Sequence, residues 1–417
     1  MAVNAKPMKG SPAAGPPRLV VMNQVAATLT IDLLKDFRDR GVACRALAGE
    51  YEATPEQLPG VTLHNGRRLI KHRALFRLWT WLVFSLQGLW TVWKYRREDM
   101  LIVTSPPSFI LAMPLLKRLF GVRYSLLIYD IYPEVAERLG MIRPGGWIAR
   151  LWRKFSRKAM LDARSVITLG SDMADTLRGH LRPGDELSIE IVPTWVDPDV
   201  IRPVDRSENP FVREHGLADK FVVMYSGSFG ATHDIASLVE TAGLMAEESD
   251  VHFMLIGGGT RQVELSKLVA SRGLKNLTLL PHQPRDVFPY SLASADCQVV
   301  SLDEAYAGLS IPSKTYCAMA AGCAVIAVSP PESDLTTIIT EGQCGLHVPP
   351  RNPEALVTAI RRLRDDAALL NQCKQRGRHL AEERFSREPN LEKFFAVLKT
   401  SFDWRRYGMN NGNKDNT

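Results

Sequence analysis

A chain of 417 residues is longer than one hydrophobic core usually supports, roughly 250–300 residues, so we expect two domains. The formal net charge is +7, but residues 67–164 hold 19 Lys and Arg against 6 Asp and Glu. Such a basic segment indicates an anionic partner, either a phospholipid surface or a phosphorylated lipid. No zinc-finger, RRM or helix-turn-helix pattern accompanies the charge, so we expect no nucleic-acid partner. The six cysteines lack metal-ligand spacing, which argues against structural zinc and favours a reduced, cytoplasmic protein.

The first half of the chain alternates short apolar runs with helical segments. Residues 1–17 lack the apolar core of a secretory signal, and we expect this stretch to be disordered. The runs typical of buried strands lie at 18–22, 42–48, 101–105, 124–130, 165–169 and 190–193. Helices are expected near 27–40, 108–120 and 133–161. This alternation is typical of a doubly wound parallel sheet.

Residues 74–93 form the longest apolar stretch of the chain and contain four tryptophans. Tryptophans flanked by Lys and Arg suit a helix that lies in a membrane interface. A helix that packs a broad apolar face on the first-domain sheet explains the same pattern. A membrane-spanning helix is a third alternative, but Arg77, Ser85 and Gln87 count against it because polar groups are costly inside a bilayer. The sequence leaves the first two alternatives open.

The proline-rich segment 193–205 marks the boundary between two domains, which we place at 18–198 and 199–388. Asp197 and Asp199 in this segment form a nominal DxD metal motif. No third carboxylate is near in sequence, so we interpret the pair as a linker turn and expect no metal.

The second half repeats the alternation of the first. Its apolar runs lie at 221–227, 252–258, 277–281, 297–300 and 323–328, each followed by a helical stretch. A last helix at 389–404 is expected to pack back on the N-terminal domain, and the polar tail 405–417 is expected to be disordered. Two doubly wound domains leave a cleft between them, and such a cleft is the usual place for a binding site.

Two glycine runs follow strands of the second half, at 227–234 and 257–262. Glycine lets the backbone approach a ligand closely, and N–H groups at a helix start bind phosphate. A tight turn between strand and helix explains either run equally well. Arg261 would add charge to a phosphate site. Of two histidines that end strands, His233 and His282, the first is the better functional candidate because it lies inside a glycine run.

Residues 308–327 place a lysine where an anion would bind. Strand-like runs flank a helical segment at 313–321, and Gly322 lies just past its end. The loop of such a strand–loop–helix–strand unit opens at the carboxyl edge of the sheet, where parallel sheets bind ligands. Lys314 adds a full charge to the partial positive charge of the helix N-terminus. A diphosphate is the ligand that suits this arrangement.

Asp130 and Glu134 lie where an apolar strand ends and a helix begins. A carboxylate at that edge can orient or deprotonate a hydroxyl group. Helix capping by Asp130 and a favourable dipole interaction of Glu134 explain the same residues. The two interpretations have equal weight for Asp130, and the structural one is favoured for Glu134.

Taken together, these segments resemble the GT-B glycosyltransferases of family 4, notably the branch related to bacterial O-antigen and capsule fucosamine-type transferases. The matching stretches are IYDIYPE (128–134), VPTWVDP (192–198), YSGSFGATHD (225–234), IGGGTRQ (256–262), LPHQPRDVFPYSLASADCQVV (280–300), IPSKTYCAMAAGCAVIA (311–327) and EGQCGLHVPPRNPEAL (341–356). The resemblance runs from about residue 18 to residue 403, and its second-domain motifs are the more specific.

The resemblance implies a GT-B architecture, in which two doubly wound Rossmann-like domains face a central cleft and the C-terminal domain binds a nucleotide-sugar donor. It also implies transfer with retention at the anomeric carbon, without a metal or another cofactor. Lys314 and Asp130 would be catalytic, and Asp130 and Glu134 would face the acceptor. The donor-binding residues would be Gly227, Ser228, Gly230, His233, Gly258, Arg261, His282, Gln283, Ser313 and Lys314.

One departure from the family pattern concerns ribose binding. Many members carry two glutamates separated by seven residues around this helix, and the second binds ribose. Leu309 and Cys317 occupy the two positions here, so the usual ribose contact is absent.

We expect a cytoplasmic enzyme that is peripheral on the inner face of the plasma membrane, which it contacts through the basic N-terminal domain. Its donor would be a UDP-sugar rather than GDP-mannose, and its acceptor a polyprenyl-diphosphate-linked or other lipid or glycan of cell-surface polysaccharide or glycolipid synthesis. Two alternatives stay open. One is a UDP-sugar epimerase of the same architecture, and the other is an inactive scaffold, which the missing glutamates suggest.

Overall fold

The computed structural model describes residues 15–70, 74–104, 109–230 and 234–407. These residues form two α/β units, each built on one large parallel sheet, which confirms the expected fold class. The central strands of both sheets are buried along their length because helices cover both faces.

The first unit contains a seven-stranded sheet in the order β5-β3-β1-β6-β7-β8-β9, and β2 pairs separately with β4. Its elements are β1 (Arg18–Met22), β2 (Val25–Ala26), α1 (Thr28–Asp39), β3 (Ala43–Ala48), β4 (Glu50–Tyr51), β5 (Thr62–Asn65), α2 (Ala74–Lys94), β6 (Asp99–Thr104), α3 (Met113–Phe120), β7 (Arg123–Ile128), α4 (Glu134–Arg138), α5 (Trp147–Asp162), β8 (Val166–Thr168), α6 (Ser171–Arg178) and β9 (Ile189–Ile191).

The second unit contains a six-stranded sheet in the order β12-β11-β10-β13-β14-β15. Its elements are α7 (Pro210–Glu214), β10 (Phe221–Ser228), α8 (Ala236–Leu244), β11 (Val251–Gly258), α9 (Gln262–Arg272), β12 (Leu277–Leu280), α10 (Phe288–Ala293), β13 (Cys297–Ser301), α11 (Lys314–Ala320), β14 (Ala324–Val328), α12 (Asp334–Glu341), β15 (Gly345–Val348), α13 (Pro353–Asp365) and α14 (Ala367–Glu383); α15 (Arg387–Ser401) follows.

Two edge strands, β5 and β15, have no counterpart among the apolar runs of the sequence. Their sequences are TLHN and GLHV, and most of their residues are only partly buried. An edge strand is covered by a neighbour on one side alone, so its sequence need not be continuously apolar. This is why hydrophobic periodicity does not reveal these two strands.

The last helix of the chain, α15, belongs to the core of the first unit. Phe394 and Phe395 pack against Phe37 of α1, with ring centroids 6.2 and 6.3 Å apart. Beyond the helix, the indole N–H of Trp404 donates a hydrogen bond to the buried carboxylate of Asp99 at 2.8 Å. Residues 404–407 form a 3-10 helix, so the expectation of a disordered tail from residue 405 is wrong for 405–407. Residues 408–417 and 1–14 lie outside the described residues.

The segment that joins the two units contains the turn expected from its sequence. The Asp197 carboxylate accepts the N–H groups of Asp199 and Val200 at 3.1 and 3.3 Å. Val196 forms a parallel bridge with Ser386, just before α15 begins. The segments around Val196 and Ser386 therefore run side by side where the chain passes between the units. The aspartates form a linker turn.

Helix α2 (Ala74–Lys94) packs one face on the first-unit sheet and leaves a second apolar face exposed. Phe84 and Val92 are buried, whereas Trp79 and Trp90 are each 55% exposed. None of the helices within the described residues is long and apolar enough to cross a membrane, so the spanning alternative for residues 74–93 is wrong. The packing alternative is confirmed for one face of the helix. The other apolar face is exposed.

The two units meet through backbone and helix-end contacts. Ile131 N–H donates to the Leu309 carbonyl at 3.2 Å, and Arg285 donates to the Glu52 carbonyl at 2.9 Å. These contacts hold the second unit against the first.

Helices α6 and α12 approach each other across the domain boundary with their N-terminal ends. Asp172 N–H donates to the Asp334 carboxylate at 3.1 Å, and Asp334 N–H donates to the Asp172 carboxylate at 3.2 Å. The Ser171 hydroxyl donates to the same Asp334 carboxylate. Each aspartate therefore caps the helix of the other unit. Burial and the neighbouring Asp334 carboxylate raise the pKa of Asp172 to about 7.

We predict that this contact makes closure of the two units dependent on pH. An aspartate freed by separation titrates near about 3.9, whereas Asp172 in the contact titrates near about 7. Protonation of Asp172 therefore stabilises the contact fully below about pH 4. This stabilisation decreases as the pH rises towards 7 and is absent at higher pH. A donor–acceptor dye pair across the cleft should report greater separation at pH 8 than at pH 5.

The variant Asp172→Asn keeps the shape of the side chain but does not titrate, so its dye distance should be the same at both pH values. Asp175→Asn is the matched control, because Asp175 lies on the same helix, is exposed and forms an ion pair with Arg178 at the surface. A pH-dependent distance that persists in Asp172→Asn, or no pH dependence in the parent chain, would contradict the prediction.

Candidate active site in the interdomain cleft

The site expected from the sequence forms at the carboxyl ends of β10, β11 and β13, where the second unit faces the first. The loop that follows β13 carries Leu309, whose carbonyl contacts the first unit, and then leads into α11. The residues at the start of α11 therefore lie beside the domain boundary, at the sheet edge where open parallel sheets bind ligands.

Lys314 is the first residue of α11, and its amino group lies next to the end of β10. The amino group donates a hydrogen bond to the Tyr225 hydroxyl at 2.6 Å. A methyl group built on Gly227 would lie 3.6 Å from the same nitrogen, so the amino group lies over the open side of this glycine. Burial lowers the pKa of Lys314 to about 7, because the ammonium form loses solvation.

Helix α11 is followed by a glycine, as its sequence indicates, and an exposed serine precedes its first residue. Gly322 follows the helix with a positive φ of 74°, the left-handed conformation typical of a residue after a helix end. Ser313 precedes the first helical residue, and its exposed side chain makes no capping hydrogen bond. Ser313 and Lys314 therefore lie side by side at the start of α11, beside the domain boundary.

The two glycine runs continue β10 and β11 and pack against each other. Gly227 pairs with Gly257 and Ser228 with Gly258 in the parallel ladder. A side chain on Gly257 would lie 1.8 Å from the Gly227 carbonyl oxygen, so this position requires glycine. The first two residues of each run are therefore strand ends in backbone contact, and the turn towards α9 begins only at Gly259.

The loop after β12 brings His282 close to the second glycine run. The His282 ring lies 3.3 Å from the position that a methyl group on Gly258 would take, and the Gln262 side chain lies equally close. His282 is exposed, and the Gln283 amide donates to the Pro281 carbonyl at 2.9 Å. Gly258, His282 and Gln283 thus occupy one end of the cleft edge.

Other donor-site candidates are placed differently. Arg261 lies just before α9 and pairs with Glu264 in the first turn of that helix at 2.8 Å, so a helix neighbour holds its guanidinium. Gly230 is the last described residue before a gap, and His233 lies outside the described residues. The sequence analysis missed Tyr225, whose position inside an apolar strand resembles a core residue and gives no signal of its contact with Lys314.

A second polar group at this edge also escaped the sequence analysis. The Asp234 carboxylate accepts Arg351 N–H at 2.9 Å, and the Arg351 side chain donates to Asp303 at 2.9 Å. Asp303 follows β13 almost directly, which is a signal of a sheet-edge residue, but Arg351 is far away in sequence. This group connects the ends of β10, β13 and β15.

Cys317 occupies the position where a family glutamate would bind ribose. Burial raises the pKa of its thiol to about 11, so the side chain is neutral at pH 7. Neither a carboxylate nor a thiolate is therefore present at this point of α11.

Asp130 and Glu134 have different surroundings in the first unit. Helix α4 is preceded by Pro133, which makes no side-chain capping hydrogen bond, and Asp130 lies three residues before that proline. The Glu134 carboxylate accepts hydrogen bonds from Arg153 at 2.6 Å and from His180 at 3.0 Å. Burial opposes ionisation of Glu134, but these hydrogen bonds outweigh it and lower the pKa. Glu134 is thus held in an ion-pair network, whereas Asp130 is half-buried at the end of β7.

Within the part of the chain that the structure describes, no cluster of three or more His, Cys, Asp or Glu residues has the arrangement needed to hold a metal ion.

Two family models match the chain, one for each unit. The model described as Glycosyltransferase Family 4 matches residues 26–200, and the model described as Glycosyl transferases group 1 matches residues 220–366. The glycosyltransferase WbjE of Pseudomonas aeruginosa is 26% identical over 338 residues, which are 80% of this chain and 82% of that protein. The colanic acid biosynthesis glycosyl transferase WcaI of Escherichia coli K12 is 26% identical over 76% of this chain and 78% of that protein.

Solved structures share the fold of both units together. Sucrose-phosphate synthase from Thermosynechococcus elongatus superposes with a TM-score of 0.75 at 17% identity, covering 93% of this chain and 99% of that one. HepE of Anabaena in complex with UDP-glucose gives a TM-score of 0.69 at 15% identity, covering 92% and 99%. The family models, the relatives and the two-unit architecture agree, and the chain belongs to the GT-B glycosyltransferases of family 4.

Proposed function

We propose that this glycosyltransferase moves a sugar from a UDP-sugar to a lipid-linked or glycan acceptor in the synthesis of a cell-surface polysaccharide or glycolipid. The observation that carries the proposal is the Lys314 amino group beside the Gly227 backbone at the cleft edge. The name of WcaI refers to colanic acid biosynthesis, and HepE was solved with UDP-glucose, which supports a polysaccharide product and a UDP-sugar donor.

The chemistry at this edge is the departure of a nucleoside diphosphate from the anomeric carbon. When that carbon–oxygen bond breaks, negative charge develops on the diphosphate, and a positive group fixed nearby stabilises it. Lys314 supplies that charge, and the main chain at Gly227 and Ser228 leaves room for the phosphates to approach. No metal is required in this scheme.

Retention follows if the acceptor oxygen attacks from the face that the diphosphate leaves. In that reaction the acceptor hydroxyl proton passes to the departing donor phosphate, so no protein base has to stand behind the sugar. A covalent sugar intermediate would instead call for two carboxyl groups about 5–5.5 Å apart across the bond. Asp130, at the end of β7, is the acceptor-side candidate to orient the incoming hydroxyl.

The exposed apolar face of α2 supports an acceptor that resides in a membrane. The face is a stripe along one side of the helix, and we call it the α2 stripe; its residues, each about half exposed, are Phe76, Trp79, Leu82, Leu86, Trp90 and Trp93. A stripe of this length on a water-soluble surface is costly unless something covers it.

Helices α3 and α5 extend the α2 stripe. Phe84 of α2 packs on Phe109 just before α3, and Lys117 of α3 donates to the Asp162 carbonyl at the end of α5, so the three helices cover the same face of the sheet. Leu119 is 60% and Trp147 is 71% exposed. The exposed cations of this region are Lys94, Arg97, Arg118, Arg143, Arg150, Lys154 and Lys158.

Aromatic and aliphatic side chains mixed with cations are the composition of a surface that binds anionic lipid. We therefore place this enzyme at the cytoplasmic face of the plasma membrane, with the first unit against the phospholipid and the cleft open to a polyprenyl-diphosphate-linked acceptor.

Lys314→Ala tests the donor site. A charge-assisted contact contributes about 1.5–3 kcal/mol, so we expect UDP affinity and kcat/KM to fall about 10- to 150-fold. Titration calorimetry with UDP, and turnover with the donor that a thermal-shift panel of nucleotide sugars selects, are the measurements. Lys275→Ala is the control, since Lys275 is an exposed lysine of the same unit. Unchanged UDP affinity in Lys314→Ala would exclude this site.

The paired substitution Trp79→Ala with Leu86→Ala tests the membrane surface. Each buried apolar side chain contributes about 1.5–3 kcal/mol, so removing two should weaken binding to phosphatidylglycerol vesicles by at least about tenfold. Vesicle co-sedimentation measures the effect, with phosphatidylcholine vesicles as the uncharged comparison. Leu244→Ala with Val263→Ala removes two exposed apolar side chains of the second unit and should change nothing. Equal vesicle binding by both pairs would exclude the α2 stripe as the contact surface.

A further inference from the structure

Tyr225 lies two residues before the first glycine run and is almost completely buried, with 1% of its surface exposed. Its ring lies near that of Phe229, with centroids 6.0 Å apart. A phenylalanine would fill this space equally well, so the hydroxyl group is the part of Tyr225 that packing does not explain.

The Tyr225 hydroxyl connects two parts of the cleft edge. It accepts a hydrogen bond from the Lys314 amino group at 2.6 Å, and it donates its own proton to the Ser228 carbonyl at 2.8 Å. A phenol has one proton to donate and lone pairs to accept, so both contacts form at once. The hydroxyl thereby joins α11 to the end of β10.

A lysine side chain has four rotatable bonds and needs a restraint if its charge is to meet a ligand in one place. Among the described residues, Tyr225 is the hydrogen-bond partner of the Lys314 amino group. The amino nitrogen also lies 4.0 Å from the centre of the Tyr225 ring, close enough for the attraction between a cation and an aromatic ring. Tyr225 therefore restrains the lysine through its hydroxyl and its ring.

We propose that Tyr225 is a positioning residue of the donor site. Its hydroxyl holds the Lys314 amino group beside Gly227 and ties it to the strand end through the Ser228 carbonyl. The diphosphate of the donor then meets a charge that is already in place and loses less freedom on binding. This inference rests on the proposed role of Lys314 in binding the diphosphate.

The same contact links donor binding to pH. Burial lowers the pKa of Lys314 to about 7, and a bound diphosphate favours its ammonium form, so binding above about pH 7 takes up a proton. Within the described residues, Tyr225 is the titratable group that faces this amine; burial raises the pKa of its phenol, which stays protonated. The phenol oxygen accepts a hydrogen bond from the Lys314 ammonium and so stabilises the charged form of the lysine. Removing this oxygen favours the neutral amine, so UDP affinity should begin to decline at a lower pH.

The test is a double-mutant cycle of Tyr225→Phe, Lys314→Ala and both together in the full chain, with UDP as the probe and calorimetry between pH 6 and pH 9. We expect Tyr225→Phe to weaken UDP binding about five- to twentyfold and to shift the decline of affinity to lower pH. In the Lys314→Ala background the same change should have no further effect, because Tyr225 acts through the lysine.

Tyr124→Phe is the matched control. Tyr124 is buried in the first unit, and its hydroxyl donates to the Ala159 carbonyl at 2.7 Å, so the change also removes a buried hydroxyl and its main-chain contact. UDP affinity and its pH dependence should be those of the parent chain.

The outcomes separate this inference from the proposed function. If Tyr225→Phe lowers UDP affinity equally with and without Lys314, the role of Tyr225 is merely structural and the inference is overturned. An unchanged UDP affinity and pH profile in Tyr225→Phe would overturn it as well. Unchanged UDP binding in Lys314→Ala would instead overturn the proposed donor site.

If Tyr225→Phe does not fold, 3-fluorotyrosine at position 225 keeps the hydroxyl but weakens it as a hydrogen-bond acceptor. An unchanged pH profile in that variant would overturn the inference as well.

Discussion

The close contact of two glycine-bearing strand ends is the constraint on which the candidate site depends. Gly257 lacks a side chain that would otherwise lie 1.8 Å from the Gly227 carbonyl, so β10 and β11 stay paired to their last residues. Because the ladder continues this far, the end of β10 reaches the amino group of Lys314 at the start of α11. The cleft edge is thus built from main chain that β11 fixes on one side, and the Tyr225 hydroxyl ties the lysine to the same strand end.

Burial, rather than an opposing ion, controls the charge of Lys314 and of Cys317. Desolvation lowers the pKa of Lys314 to about 7, and burial keeps the Cys317 thiol neutral. A site with a cation, a polar hydroxyl and no carboxylate on α11 is complementary to the diphosphate of the proposed donor. His282 and the polar group of Asp234, Asp303 and Arg351 lie at the same edge and are candidates for the ribose contact in that proposal.

Much of the architecture was predictable because its signals are local. Continuous apolar runs identified the central strands, since a strand covered on both faces must be apolar along its length. Gly322 marked the end of α11 because only a residue tolerant of positive φ fits there. The edge strands β5 and β15 were missed because partial exposure removes that requirement. The exposed half of α2 was ambiguous because an apolar face has the same sequence whether protein or lipid covers it.

The sequence by itself determined the two α/β units, the linker turn at Asp197 and the lysine at a helix start, since each depends on neighbouring residues. Tertiary structure alone decided that Glu134 is held by Arg153 and His180, that Asp172 and Asp334 cap each other's helices, and that Tyr225 restrains Lys314. These partners are between 19 and 162 residues apart along the chain. Local periodicity carries no information over such separations, because the packing of whole units brings the side chains together.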